Sequence, residues 1–154
     1  MDNAKRLVKA LKAAGKTVAT AESCTGGLIG KRITDVSGSS GVYPGGVISY
    51  SCEIKRRILG VDAAILDAVG PVCESVAAQM AEGVRALMGS DFGLSSTGVA
   101  GPNSDDFNNP VGLVYVGLTD GTHTQVLELH LSGDRDSIRR QAADTALSAL
   151  SDMV

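Results

Sequence analysis

Apolar side chains recur along the chain in two periods, and the switches between them predict the order of elements. Leu7, Val8, Leu11 and Ala14 fall at helical spacing, and Gly15 stands where a C-terminal cap is expected. The short, β-branched run from Thr17 to Ala21 predicts a strand. It passes through the polar turn Glu22-Ser23-Cys24-Thr25-Gly26-Gly27 into a second helix marked by Leu28, Ile29 and Ile33. Val36 to Gly46, rich in Gly and Ser, reads as a loop, and Val47 to Tyr50 as a second strand. A helix is expected through Lys55 to Leu59, then a short one capped by Asp62. A long helix follows over Glu74 to Met88, with Val76, Met80, Val84 and Leu87 on one stripe and Gly89 at its end.

Phe92 to Thr97 predicts a third strand, ending in the turn Gly98-Val99-Ala100-Gly101-Pro102 and the polar loop Asn103 to Asn109. Val111 to Leu118 and Gln125 to Leu131 alternate as two adjacent strands, with Asp120-Gly121 as the hairpin turn. Ile138, Ala142, Ala146, Leu147 and Leu150 place a closing helix over Asp134 to Leu150. Helices and strands alternate in the first half, and a hairpin comes in the second. That order predicts an α/β fold, a three-layer α/β/α sandwich around a mixed, mostly parallel sheet with a late β-hairpin. No internal repeat is visible, and the length of 154 residues suits a single domain over 1–154.

Composition narrows the function classes. Hydrophobic residues at 44% and charged residues at 20% set disorder aside. A formal charge of -3, a longest basic cluster of only Lys55-Arg56-Arg57, and few aromatics argue against a nucleic-acid partner. Cys24, Cys52 and Cys73 are odd in number and scattered, which matches neither a disulfide framework nor a zinc site and points to a reducing cytoplasm. The opening MDNAKRLVKALKAAGK is charged and helix-patterned, and no apolar run reaches spanning length, so neither export nor a membrane partner is expected.

In α/β sheets ligands bind outside the carboxyl ends of the strands, and three polar or glycine-bearing turns here follow strands, at Ser23, Tyr50 and Thr97. If these strands are neighbours, the turns converge. Ser23 falls just before a helix N-terminus, whose free N–H groups suit an oxyanion or a phosphate; local pattern alone favours Ser23 or Thr25 as a plain N-cap. Lys55 stands about one helical turn beyond Tyr50 and could lean back toward the strand ends. Poorly solvated, it would lose part of its preference for the charged form and take a proton from a serine; solvated, it is an ordinary surface lysine. Cys24 is a rival nucleophile or simply a buried thiol. His123 and His130 read as residues of the hairpin strands without a catalytic role. Arg135, Arg139 and Arg140 offer forked donors to a phosphate, or form an exposed charged face.

The segments TAESCTGGLIGKRITDVSGSS, GGVISYSCEIKRRILGV, STGVAGP, NPVGLVYVGL and SGDRDSIRRQA, in this order, resemble the CinA C-terminal domain family over nearly the whole chain. The resemblance implies hydrolysis of the carboxamide of nicotinamide mononucleotide to nicotinic acid mononucleotide and ammonia, in pyridine nucleotide salvage, with no metal or organic cofactor. By position, Ser23 is then the nucleophile, Lys55 its general base and Tyr50 a supporting donor. Gly26, Gly27, Thr97 and Gly98 would line the oxyanion and ligand side. A helix N-terminus or an arginine, Arg135 or Arg139, would take the phosphate, with Ser39 and Ser40 as further candidates. The resemblance also favours a homo-oligomer, which the many small residues would suit as a dimer. Larger members carry an extra N-terminal domain resembling molybdopterin-binding proteins, for which 154 residues leave no room. Cys52 replaces an expected asparagine, and the loop Asn103-Ser104-Asp105-Asp106 is more acidic than the family pattern; acids facing the site would repel a phosphate. The competing readings are a non-catalytic module that binds a nucleotide or phosphate, and an interaction protein that binds no small molecule.

Overall fold

The first helix, α1, runs Asn3–Ala14: the Asp2 carboxylate accepts from the Ala4 N–H at one end, Gly15 closes the other in the left-handed conformation, and Ala4, Leu7, Val8 and Leu11 are buried. The computed structural model describes residues 1–154 and continues with strand β1 (Val18–Glu22), helix α2 (Leu28–Thr34) and a short 3-10 turn (Ser39–Gly41). Then come β2 (Gly45–Ile48), α3 (Cys52–Leu59), α4 (Ala63–Ala68), α5 (Glu74–Met88), β3 (Phe92–Gly98), the hairpin β4 (Leu113–Thr119) and β5 (Thr124–His130), and α6 (Arg135–Met153).

The strands form one sheet in the order β2-β1-β3-β4-β5. β1 is parallel to both β2 and β3, and β4 is antiparallel to both its neighbours, so only β4 runs against the rest. Alternation along β1 sorts the two faces. Val18 joins the apolar cluster of α1, α2 and α6, whereas Ala19 and Ala21 join that of Leu59, Leu66, Val76, Met80 and Val84 on α3, α4 and α5. The result is a three-layer α/β/α sandwich. Leu7 and Leu11 of α1 and Leu147 and Leu150 of α6 are all fully buried in the first cluster, and each such burial contributes roughly 2 kcal/mol. On the other face α5 lies very close to the sheet: Ser95 Oγ donates to the Ala77 carbonyl at 2.6 Å, and a Cβ at Gly117 would collide with that same carbonyl. The three parallel strands direct their carboxyl ends to one edge of this sandwich, and there the turns meet.

Three expectations need correction. The second strand lies two residues earlier than Val47 to Tyr50, because its pairing with β1 begins at Gly45 opposite Ala19 and recruits two glycines of low strand propensity. Tyr50 therefore stands beyond the strand. On α5 the buried stripe is Val76, Ala77, Met80, Ala81 and Val84, while Leu87 is exposed; close approach to the sheet selects small residues over the larger one. His123 lies in the hairpin turn between β4 and β5 rather than in a strand. No helix is long and apolar enough to cross a membrane.

Candidate active site

Ser23 follows the last residue of β1, and its N–H still donates to Ser96 of β3, which pins the turn to the sheet. Lys55 lies one turn into α3, whose N-terminus is fixed by Ser51 Oγ accepting from the Ile54 N–H. From there the side chain reaches back beneath the strand ends and is only 1% exposed. Its Nζ lies 2.8 Å from Ser23 Oγ, 2.7 Å from the Ser49 carbonyl and 3.4 Å from the Tyr50 carbonyl. No carboxylate pairs with it. Burial lowers its pKa from the ordinary 10.5 to about 8, against an opposite pull from the Cys52 and Cys24 thiols. In the neutral form its two N–H groups can remain on the two carbonyls, which leaves the lone pair facing the serine oxygen.

Cys24 is as buried as Ser23 and also lines the cleft, but burial pushes its thiol up to about 11. A thiol so protonated is a poor nucleophile near neutrality. The rival assignment loses its physical basis.

Glu22 and Ser96, which sequence reasoning missed, help to hold the rest of the turn. Glu22, 2% exposed, turns its carboxylate onto the start of α2: Oε1 accepts from the Ile29 N–H at 2.8 Å and from Thr25 Oγ1 at 2.6 Å, and Oε2 accepts from the Gly30 N–H at 2.9 Å. Thr25 Oγ1 also lies 2.6 Å from Ser96 Oγ. The α2 amides expected to receive an oxyanion or phosphate are thus occupied by the chain's own carboxylate. The signal was available as an acidic residue shortly before a helix start. From the other side, Arg139 of α6 donates through Nε to the Cys24 carbonyl and through Nη2 to the Thr25 carbonyl, both at 3.1 Å.

A cleft of about 450 Å³ opens over this pair. Ser23, Tyr50, Lys55, Thr97, Gly98 and Arg135 line it, so the expected convergence of three turns is found. The Thr97 hydroxyl donates to the Pro71 carbonyl at 2.7 Å, which ties β3 to the segment leading into α5. Tyr50 contributes its carbonyl to Lys55, whereas its hydroxyl accepts from Arg135 Nη2 at 3.2 Å; the expected hydroxyl donor to the serine-lysine pair is not there. Arg135 Nη1 donates to the Gly101 carbonyl at 2.7 Å. The facing wall is the loop with Asn103, Asp105 and Asp106. Asp105 turns back on its own loop, accepting from the Phe107 and Asn109 N–H groups and from the Asn109 side chain, which holds its pKa below the usual range despite partial burial. Asp106 is exposed and unpaired.

Other candidates fall elsewhere. Thr25, Gly26, Gly27 and Arg139 do not line the cleft. Ser39 and Ser40 belong to the 3-10 turn that precedes β2, and Val42, next to that turn, accepts from the Val18 N–H at the start of β1. They sit at the amino ends of the strands, across the sheet from Ser23. Arg140 pairs with Asp136 on the surface, and His130 with Glu128. No three His, Cys, Asp or Glu side chains gather as a metal-binding group.

Comparison with known proteins places the sequence and the fold. A sequence profile described as the CinA C-terminal domain matches residues 1–154. Proteins named CinA-like from Syntrophomonas wolfei and Geobacter sulfurreducens are 51% and 48% identical over 136 residues, 88% of this chain and 33% of each relative. The chain thus spans about a third of the length of the curated relatives it matches. The crystal structure of a competence damage-inducible protein A from Klebsiella pneumoniae superposes with a TM-score of 0.95 at 31% identity, covering 97% of this chain and 93% of that one. A competence/damage inducible protein, CihA, from Agrobacterium tumefaciens gives 0.94 at 35%, covering 98% and 93%. With its profile matched end to end and its fold shared at this closeness, the chain belongs to the CinA C-terminal domain family.

Proposed function

We propose that the chain hydrolyses the carboxamide of nicotinamide mononucleotide to nicotinic acid mononucleotide and ammonia, with Ser23 as nucleophile and Lys55 as base. One observation carries the reading: a fully buried lysine without an acidic partner, 2.8 Å from a serine at the mouth of a cleft. With two carbonyls as its other partners, the amine presents its remaining position to the Ser23 hydroxyl, as a base for that hydroxyl must.

The steps balance on these groups. Ser23 Oγ attacks the carboxamide carbon as its proton passes to Lys55 Nζ, and the carbonyl oxygen becomes an oxyanion that backbone N–H groups stabilise. Collapse breaks the carbon–nitrogen bond, and Lys55 returns the proton to the departing ammonia. A water, deprotonated by the same amine, then cleaves the acyl ester. The phosphate falls to Arg135, the arginine that lines the cleft with N–H donors to spare.

The experiment is incubation of the purified chain with nicotinamide mononucleotide, without added metal, following ammonia and nicotinic acid mononucleotide. Turnover that collapses in Ser23→Ala and in Lys55→Ala supports the reading. Turnover that survives Ser23→Ala overturns the mechanism, and a parent that binds the nucleotide without turning it over leaves a binding module.

A further inference from the structure

We infer that Arg139 is a positioning residue, which holds the turn after Ser23 so that the backbone N–H of Cys24 serves as an oxyanion donor, and that it takes no part in phosphate binding. This rests on the serine-lysine reading above. The turn's amides can be accounted for one by one. Ser23 donates to Ser96, Gly26 to Ser23 and Leu28 to Thr25, while Ile29 and Gly30 donate to Glu22. Cys24, Thr25 and Gly27 donate to no group of the chain, and of these three Cys24 alone lines the cleft. Buried amides are almost always paired, and the Cys24 N–H, next in the chain to Ser23 and bonded to no group of the protein, is free to pair with a substrate oxygen.

Arg139 anchors the residue that carries it. Its Nε takes the Cys24 carbonyl and its Nη2 the Thr25 carbonyl, so the backbone directly after Ser23 is tied to α6 at two successive peptides. Arg139 forms no ion pair that would explain its half-buried guanidinium otherwise. Gly26 admits it: a Cβ there would lie 2.8 Å from Arg139 Nη2. Arg135, four residues earlier on the same helix, lines the cleft, whereas Arg139 does not. One helix thus offers one arginine to the ligand and the other to the turn.

The test measures kcat and KM for Arg139→Ala and Arg139→Lys, with nicotinamide mononucleotide and with the corresponding nucleoside lacking phosphate. Arg139→Ala is expected to lose about 100-fold in kcat on both substrates with KM unchanged, and to regain part of it in added guanidinium. Arg139→Lys, which cannot span two carbonyls, falls between and serves alone if the alanine variant does not fold by circular dichroism. A second readout is independent of the amide: the rate at which a fluorophosphonate labels Ser23, followed by mass spectrometry, drops in step with kcat. A rise in KM confined to the phosphorylated substrate, with kcat intact, overturns the inference in favour of phosphate binding. Equal labelling of parent and variant overturns it while leaving the nucleophile in place. A parent that neither turns over nor labels removes the serine-lysine reading itself.

Discussion

Ser23 and Asp106 face the same cleft from opposite walls, and the two walls are built differently. On one, Ser23, Lys55 and Thr97 are buried, and each polar atom is held by a group of the chain. On the other, Asn103 and Asp106 are exposed and unpaired, and Asp105 serves only its own loop. The inner wall keeps a lysine poised by withholding both water and counter-charge, so its properties follow from the packing of β1, β3 and α3. The outer wall places charge in water, where it acts weakly and is screened. Chemistry and selectivity are therefore expected to respond to substitution on very different scales.

Removing the nucleophile tests the inner wall most severely: Ser23→Ala is expected to lower kcat by about 10⁶-fold, with Cys24→Ala close to the parent in the same ammonia-release assay. Next comes the cost of the buried base. Lys55 binds its proton less tightly folded, at about 8, than unfolded, at 10.5, so between these values the unfolded chain holds more protons and stability rises with pH. Below pH 8 the folded state carries the full penalty, about 3 kcal/mol. Lys55→Met is thus expected to gain on the parent in thermal unfolding at pH 7, and the gain to shrink by pH 10. A gain that does not change with pH would remove burial as the cause of the lysine's low pKa. Activity carries the same titration: kcat/KM should climb about tenfold per pH unit up to about 8 and then level, since only the neutral amine is a base. The outer wall gives the smallest effect. Asp106→Asn is expected to lower KM for the phosphorylated substrate by about threefold at low salt and by less at high salt. An effect as large as that of Lys55 would make Asp106 part of the chemistry.

Much of this was legible in the chain. The β1 turn, the reach of Lys55 and the convergence on Thr97 follow from hydrophobic periodicity and from the rule that strand carboxyl ends hold the site. What was not legible depends on burial and register. The start of β2 at Gly45 is set by its partner β1, not by its own glycines. Thr25 suits a helix cap by local pattern, yet its hydroxyl bridges Glu22 and Ser96 at the back of the turn. Arg135 and Arg139 are alike in sequence, and only the placement of α6 separates the one in the cleft from the one outside it. Ser39 and Ser40 read as phosphate donors because linear order does not say at which end of a sheet a loop emerges.

The carboxylate of Glu22 on the first amides of α2 has one more consequence. A helix start is a common lodging for free phosphate, which cells hold in abundance, and an enzyme that left such a berth open beside its nucleophile would be throttled by the salts around it. Here the berth is filled from birth by the residue next in line to the nucleophile. On the proposed reading, inorganic phosphate would then compete at Arg135, on the open side of the cleft.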